Sequence, residues 1–211
     1  MRLGGIYVLT PALPKNELKE FVSGCAGADL MQLRFKKPDG SPSLTVNEMI
    51  EVTEHAKKVL PCPVIVNDCL ELASRADGAH VGQGDSAWTT AKKTLGEKIV
   101  GLSAREPEQF KRLMEDAKRF GAMPDYVSTG SIFPTQSKFD AEVTGLERLD
   151  YARRVLERAG TPLFAVGGIN KFNATQLTGK CDGIAVIGAI NRNDPEQSIR
   201  ELRAAFKGGN E

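Results

Sequence analysis

The sequence predicts a parallel α/β fold, a single-domain (β/α)8 TIM barrel over residues 1–211, on three observations. Eight short apolar runs alternate strictly with eight helix-like segments, the pattern of strands joined by crossover helices. The runs are apolar throughout rather than alternating, as expected of strands buried on both faces. The length of 211 residues accommodates eight such repeats near the lower end of the barrel's size range. An open doubly wound sheet would usually carry a glycine-rich turn after its first strand; here the first run ends in Thr10-Pro11.

In chain order, Gly5 to Thr10 reads as the first strand, stopped by Pro11. A helix capped by Asn16 runs to about Ala26, with Leu18, Phe21 and Val22 inward. Leu30 to Arg34 is the second strand. The loop KKPDGSPS follows, then a helix from about Leu44 to Leu60 that ends before the prolines at 61 and 63. Strands three and four are Val64-Ile65-Val66 and Gly78 to Val81, around a short helix beginning at Leu70. A short helix over 86–95 leads to strand five at 98–103, and a helix over about 107–120 to strand six at 125–129. An irregular segment over 130–145 precedes a helix over about 146–159. Strand seven is 162–166, followed by a short helix near 172–177. Strand eight is 183–187, and the last helix starts near Pro195 behind Asp194 as a cap.

With 28 basic and 27 acidic residues the net charge is +1, which argues against a nucleic-acid or membrane-surface partner. No apolar run approaches the roughly 20 residues needed to span a bilayer. The chain enters a strand at once, leaving no room for a signal peptide, so the cytoplasm is the expected compartment. Cys25, Cys62, Cys69 and Cys181 show no metal-ligand spacing. We expect free thiols, with Cys25 and Cys181 as buried fillers.

The stretch from Pro63 to Asp85 concentrates the chemistry. Parallel neighbours end on the same rim, so Asp68 and Asp85, which follow strands three and four, should meet there. Two adjacent carboxylates repel unless a cation or a shared proton separates them. The alternative is that both are helix N-caps, most plainly Asp85 before Ser86. The other strands deliver Gln32, Arg34 and Lys36 at period two, three donors expected to converge on one anion, then Asn67, Gln83 and Ser103. The loop after strand six holds Thr135, Ser137 and Lys138, hydroxyls and an ammonium suited to phosphate. Glycine turns at Gly167-Gly168 and at Gly188 follow strands seven and eight, whose loops often bind phosphate through backbone N–H groups. His80, inside an apolar run, reads as a packed core histidine, and Trp88 as either packing or a rim contact. A magnesium ion is satisfied by one or two carboxylates, waters and substrate phosphate oxygens, so Asp68 and Asp85 suit Mg2+. The donors then ask for two phosphorylated small molecules, one bearing a diphosphate. No activated nucleophile or general base is evident.

The motifs QLRFK at 32–36, VND at 66–68, HVGQGD at 80–85, GLS at 101–103, FPTQSK at 133–138, VGGIN at 166–170 and AVIGAI at 185–190 occur in this order. Together they resemble the thiamine phosphate synthase (thiamine-phosphate pyrophosphorylase) and thiazole tautomerase superfamily over essentially the whole chain. The resemblance implies a Mg2+-dependent joining of hydroxymethylpyrimidine diphosphate to hydroxyethylthiazole phosphate, with diphosphate leaving first. It implies pyrimidine diphosphate contacts from Gln32, Arg34, Lys36 and Asn67, and metal ligation by Asp68 and Asp85. It implies diphosphate contacts from Ser103 and Lys138, contacts to either phosphate from Thr135 and Ser137, and a second phosphate pocket at Gly168, Ile187 and Gly188. Arg34, Lys138 and Ser103 would carry the catalysis. The chain departs from the family at Phe35 and Gly84, at Gly188 where serine is usual, and in a connection from Asn67 to His80 that is about two residues short. A metal-free thiazole isomerase and a non-catalytic phosphate-binding relative remain alternatives, and a homodimer is open. The loop KKPDGSPS and the segment 131–144 are the candidate lids.

Overall fold

A computed structural model of the chain describes residues 3–37, 39–135 and 142–208. Eight parallel strands close into a barrel in sequence order: β1 Gly5–Leu9, β2 Leu30–Leu33, β3 Val64–Asn67, β4 Gly78–Val81, β5 Ile99–Ser103, β6 Tyr126–Thr129, β7 Leu163–Val166 and β8 Gly183–Val186. Closure is made by β1 against β8, with Gly5 opposite Gly183 and Val8 opposite Val186. The helices are α1 Lys15–Ser23, α2 Val46–Val59, α3 Leu70–Ala73, α4 Trp88–Leu95, α5 Pro107–Phe120, α6 Gly145–Glu157 and α7 Pro195–Phe206. The eighth expected helix is a 3-10 turn at Ala174–Leu177. Asn16 does not cap α1, which begins one residue earlier behind Pro14 without a side-chain cap. Helix α2 instead has a full capping box, Thr45 with Glu48.

Each long helix buries one stripe against the strands. In α5 that stripe is Phe110, Leu113 and Ala117, and burial contributes about 1.5–3 kcal/mol for each of the two large side chains. Trp88 belongs to this outer layer, edge-on to Phe120 at 5.4 Å. Cys25 and Cys181 are buried free thiols, as expected. The barrel interior is filled by Leu3, Tyr7, Leu30, Ile65, Tyr126, Phe164 and Ala185. Two of the rings, Tyr126 and Phe164, lie against a glycine on the neighbouring strand, Gly101 and Gly183. A Cβ at Gly101 would collide with the Tyr126 ring.

The lower rim, at the N-terminal ends of the strands, shows a fourfold repeat. Asp29, Asp77, Asp125 and Asp182 each stand just before an even-numbered strand. Their carboxylates accept from the backbone N–H of Ile6, Val64, Val100 and Leu163 on the preceding odd strands, at 2.6–2.9 Å. Their own N–H groups donate to the carbonyls of the same four residues. Each carboxylate also meets a cation from the helix beside that odd strand: Arg203 on α7, Lys57 on α2, Lys92 on α4 and Arg153 on α6. Strand start, turn and helix are thereby tied together four times around the barrel.

Candidate active site on the upper rim

The C-terminal ends of β3 and β4 bring Asp68 and Asp85 together despite the short connection between them. Asp68 has φ 64, the only positive φ among the described non-glycine residues. Its N–H donates to the His80 carbonyl at 2.9 Å, which extends the β3–β4 ladder and holds the turn. A strained left-handed residue at a strand end persists only where surrounding contacts impose it, and such residues concentrate at functional sites. Lys36 and the Asn67 amide both donate to Asp68 Oδ2. Asp85 accepts the Gly82 N–H at 2.8 Å.

The two carboxyl groups are linked. Burial first, then the hydrogen bond with Asp85, pushes the Asp68 pKa up, against the pull of Lys36. Burial acts on Asp85 in the same sense, but the hydrogen bonds from Asp68 and the Gly82 N–H together with the Lys36 charge outweigh it and hold Asp85 below its ordinary value. Adjacent carboxylates of this kind resist ionising together unless a shared proton or a cation separates them. Two carboxylates fit Mg2+, which takes one or two and completes its shell with water and substrate oxygens, rather than a metal held wholly by protein. Among the described residues no group of three His, Cys, Asp or Glu side chains converges.

The three donors after β2 separate. Gln32 is buried inside the barrel and donates to the Tyr7 hydroxyl. Arg34 lies past the end of β2; its N–H donates to Thr10 Oγ1 at 2.8 Å and its guanidinium to the Lys36 carbonyl at 3.0 Å. Lys36 bridges to Asp68. The expectation of three side chains converging on one anion therefore holds only in part, because the strand ends at Leu33 and period two stops with it. Lys36 pairs with Pro42 across a small bridge that closes the turn of the KKPDGSPS loop.

Sequence reasoning missed the groups beneath this corner. His80 is buried, yet Nδ1 lies 2.8 Å from the Tyr126 hydroxyl and Nε2 2.8 Å from Ser103 Oγ. The Tyr126 hydroxyl is 2.8 Å from that of Tyr7, and Ser103 Oγ 3.1 Å from Ser128 Oγ. Burial pushes the His80 pKa down to about 4, against the nearby charge of Asp85. Burial likewise raises both tyrosines. Tyr7 and Tyr126 lie in apolar strand runs, where nothing in the sequence marks a hydroxyl as engaged. The Gln83 amide donates to the Ser103 carbonyl at 2.6 Å.

Thr135 is half-buried after β6, whereas Ser137 and Lys138 lie outside the described residues. After β7, Asn173 accepts the Asn170 N–H at 2.8 Å and donates to the Gly168 carbonyl at 2.9 Å. Gly168 has φ 67, and a Cβ there would collide with the Phe133 and Pro134 carbonyls. Neither Gly168 nor Gly188 uses its N–H in a hydrogen bond to the described residues. Ile187 and Gly188 lie in the turn after β8. A cavity of about 740 Å³ bordered by Lys57, Cys62, Asp77 and Lys98 lies at the opposite end of the barrel, where Asp77 and Lys57 are already paired.

Comparison with known proteins agrees with this geometry. Residues 6–190 match the family model described as thiamine monophosphate synthase. The thiamine-phosphate synthase of Clostridium tetani is 36% identical over 197 residues, 91% of this chain and 88% of its own. That of Bacillus velezensis is 35% identical, over 92% and 84% of the two chains. Among solved structures, a thiamine phosphate pyrophosphorylase from Pyrococcus furiosus superposes with a TM-score of 0.76 at 31% identity, covering 97% of this chain and 96% of that one. A 3-hexulose-6-phosphate synthase, 21% identical with a TM-score of 0.65, shares the fold. No described helix is long and apolar enough to cross a membrane. The chain belongs to the thiamine monophosphate synthase family, whose curated members matched here are transferases that form thiamine phosphate.

Proposed function

We propose that Asp68 and Asp85 hold a Mg2+ ion against the diphosphate of hydroxymethylpyrimidine diphosphate, and that diphosphate departs before hydroxyethylthiazole phosphate is captured. The observation that carries this reading is the linked carboxylate pair facing Lys36, a negative corner with one cation and a strained backbone. When bound, the metal would stabilise the negative charge that develops on the leaving diphosphate. Arg34, Lys36 and Ser103 offer it donors from β2 and β5, and Lys138 and Ser137 from the β6 loop. Asn67 braces Asp68 and reaches the same substrate, and Gln32 meets the pyrimidine from below. Thr135 completes the diphosphate side. The N–H groups of Gly168 and Gly188, beside Ile187, suit the thiazole phosphate.

The bond from the pyrimidine methylene to the diphosphate oxygen breaks with its electron pair on oxygen. The thiazole nitrogen then donates its pair to the methylene carbon. No proton leaves a substrate in these steps, so they need no general base, and both nitrogens of His80 are engaged by Tyr126 and Ser103.

The test is thiamine phosphate formation from the two purified substrates with and without Mg2+. Product that requires the metal supports the reading. Equal rates with chelator would overturn the metal assignment while leaving transferase activity in place.

A further inference from the structure

The buried hydroxyls and imidazole below the rim form one unbroken series from β2 to β5: Gln32, Tyr7, Tyr126, His80, Ser103. Its ends are two of the groups placed at the substrate, and its middle consists of three residues that touch none of the proposed ligands. The direction of the bonds follows from counting donors. The Gln32 amide nitrogen can only donate, so the Tyr7 oxygen accepts. The Tyr7 hydrogen must then go to Tyr126, because a Tyr7 oxygen accepting from both neighbours would leave its own hydrogen buried without an acceptor, at a cost of roughly 1–3 kcal/mol. Tyr126 in turn has His80 Nδ1 as the acceptor for its hydrogen. The imidazole therefore carries its proton on Nε2 and gives it to Ser103 Oγ. None of the atoms in the series is among the buried polar atoms left without a partner.

We propose that Tyr7, Tyr126 and His80 are positioning residues: a one-way hydrogen-bond relay that locks His80 as its Nε2–H tautomer, so that Ser103 accepts from it and keeps its own hydroxyl hydrogen to give to a substrate oxygen. Having accepted from His80, Ser103 retains one hydrogen to give, to Ser128 Oγ at 3.1 Å when no substrate is present and to a substrate oxygen when one is, Ser128 then turning its own hydrogen to the second lone pair of Ser103. A serine held as a donor recognises an anionic oxygen and would not present a lone pair to one. The stacked ring of Tyr126, 5.5 Å from the imidazole, fixes the plane in which this happens. The relay rests on the assignment of Ser103 to the diphosphate only for its consequence; the tautomer itself does not depend on it.

The experiment is nitrogen–proton NMR correlation on the full chain labelled in histidine, without substrate, at neutral pH. The chain has two histidines, and His55→Gln removes the other signal. We expect a pyridine-type Nδ1 and a protonated Nε2 on His80. A protonated Nδ1, or a doubly protonated ring, overturns the relay. Tyr126→Phe, with Tyr7→Phe as the second variant should the first not fold, should abolish the single tautomer. It should also raise the KM for the pyrimidine diphosphate roughly tenfold, as when a charge-assisted hydrogen bond is weakened, with the KM for thiazole phosphate unchanged. In a Ser103→Ala background the same substitution should cost nothing further, whereas an additive loss would overturn the relay in favour of a packing role. Should Ser103→Ala leave turnover untouched, the diphosphate role of Ser103 fails, and the NMR result still decides the tautomer.

Discussion

At the lower rim Asp29, Asp77, Asp125 and Asp182 each have a cation and two backbone hydrogen bonds. At the upper rim Lys36 pairs with Asp68 and reaches Asp85 only through its charge, and Asp68 sits in a left-handed conformation. The same side chain is used to opposite ends. Below, every charge is satisfied and the gain is a strand start pinned to its neighbours. Above, charge is crowded, which costs stability and leaves a place for something from solution to supply what is missing. In barrels of this kind the upper rim carries the chemistry and the lower rim the stability, and here the difference can be read from the partners of six aspartates.

The comparison can be broken most severely at Asp68. Replacing it with Ala should lower metal-dependent turnover by roughly 10²-fold or more, the scale of losing a preorganised charged group at a reacting centre. Thermal stability should be unchanged or slightly higher, because the raised pKa of Asp68 marks a charge the fold holds unwillingly. A large loss of melting temperature with intact turnover would invert the assignment. Steady-state kinetics and a melt on the same sample check it.

His80 is the next largest effect, and it appears in the pH dependence. Its folded pKa of about 4 lies below the ordinary 6.5. Between those values the unfolded chain binds a proton that the folded chain does not, so this contribution to stability rises with pH through that window. It is fully present above the ordinary value and is lost as pH falls toward 4, on the order of 3 kcal/mol in all. Asp68 acts with the opposite sign, so the informative quantity is the difference between wild type and His80→Gln. Denaturant unfolding at several pH values should show a shallower rise from pH 4 to 6.5 in the variant; parallel curves would contradict the buried neutral imidazole.

Asp182→Asn should have the mirror effect of the Asp68 substitution. Asp182 is the most buried of the four lower aspartates, its side chain 13% exposed beside Arg153. Loss of its charge should cost about 1–3 kcal/mol of stability, with kcat and KM unaltered. Gly101→Ala should cost about 1–3 kcal/mol as well, by forcing the Tyr126 ring aside, and should raise KM too if the ring serves the relay. Denaturant midpoints measured alongside kinetics separate the two.

The barrel was legible because apolar runs buried on both faces and amphipathic crossovers leave few alternatives, and all eight strands lie where the runs predicted. The carboxylate corner was legible from topology: two parallel neighbours must end side by side, whatever the length of the connection. The placing of Gln32, Arg34 and Lys36 was legible only in part, since alternation applies only while the strand lasts and β2 ends at Leu33. The relay was not legible, because a tyrosine in an apolar run looks the same whether its hydroxyl is engaged or not. The lower brackets were hidden for another reason. Arg203 meets Asp29 only because the last helix returns beside the first strand, a neighbourhood created by closure.

The central claim, that two carboxylates crowd around one lysine at the upper rim while each carboxylate of the lower four has its own cation, is tested most directly by calorimetric titration of Mg2+ into the protein with inorganic diphosphate present. The account predicts saturable binding that is lost in Asp68→Asn and kept in Asp182→Asn. Equal binding by wild type and Asp68→Asn would contradict it.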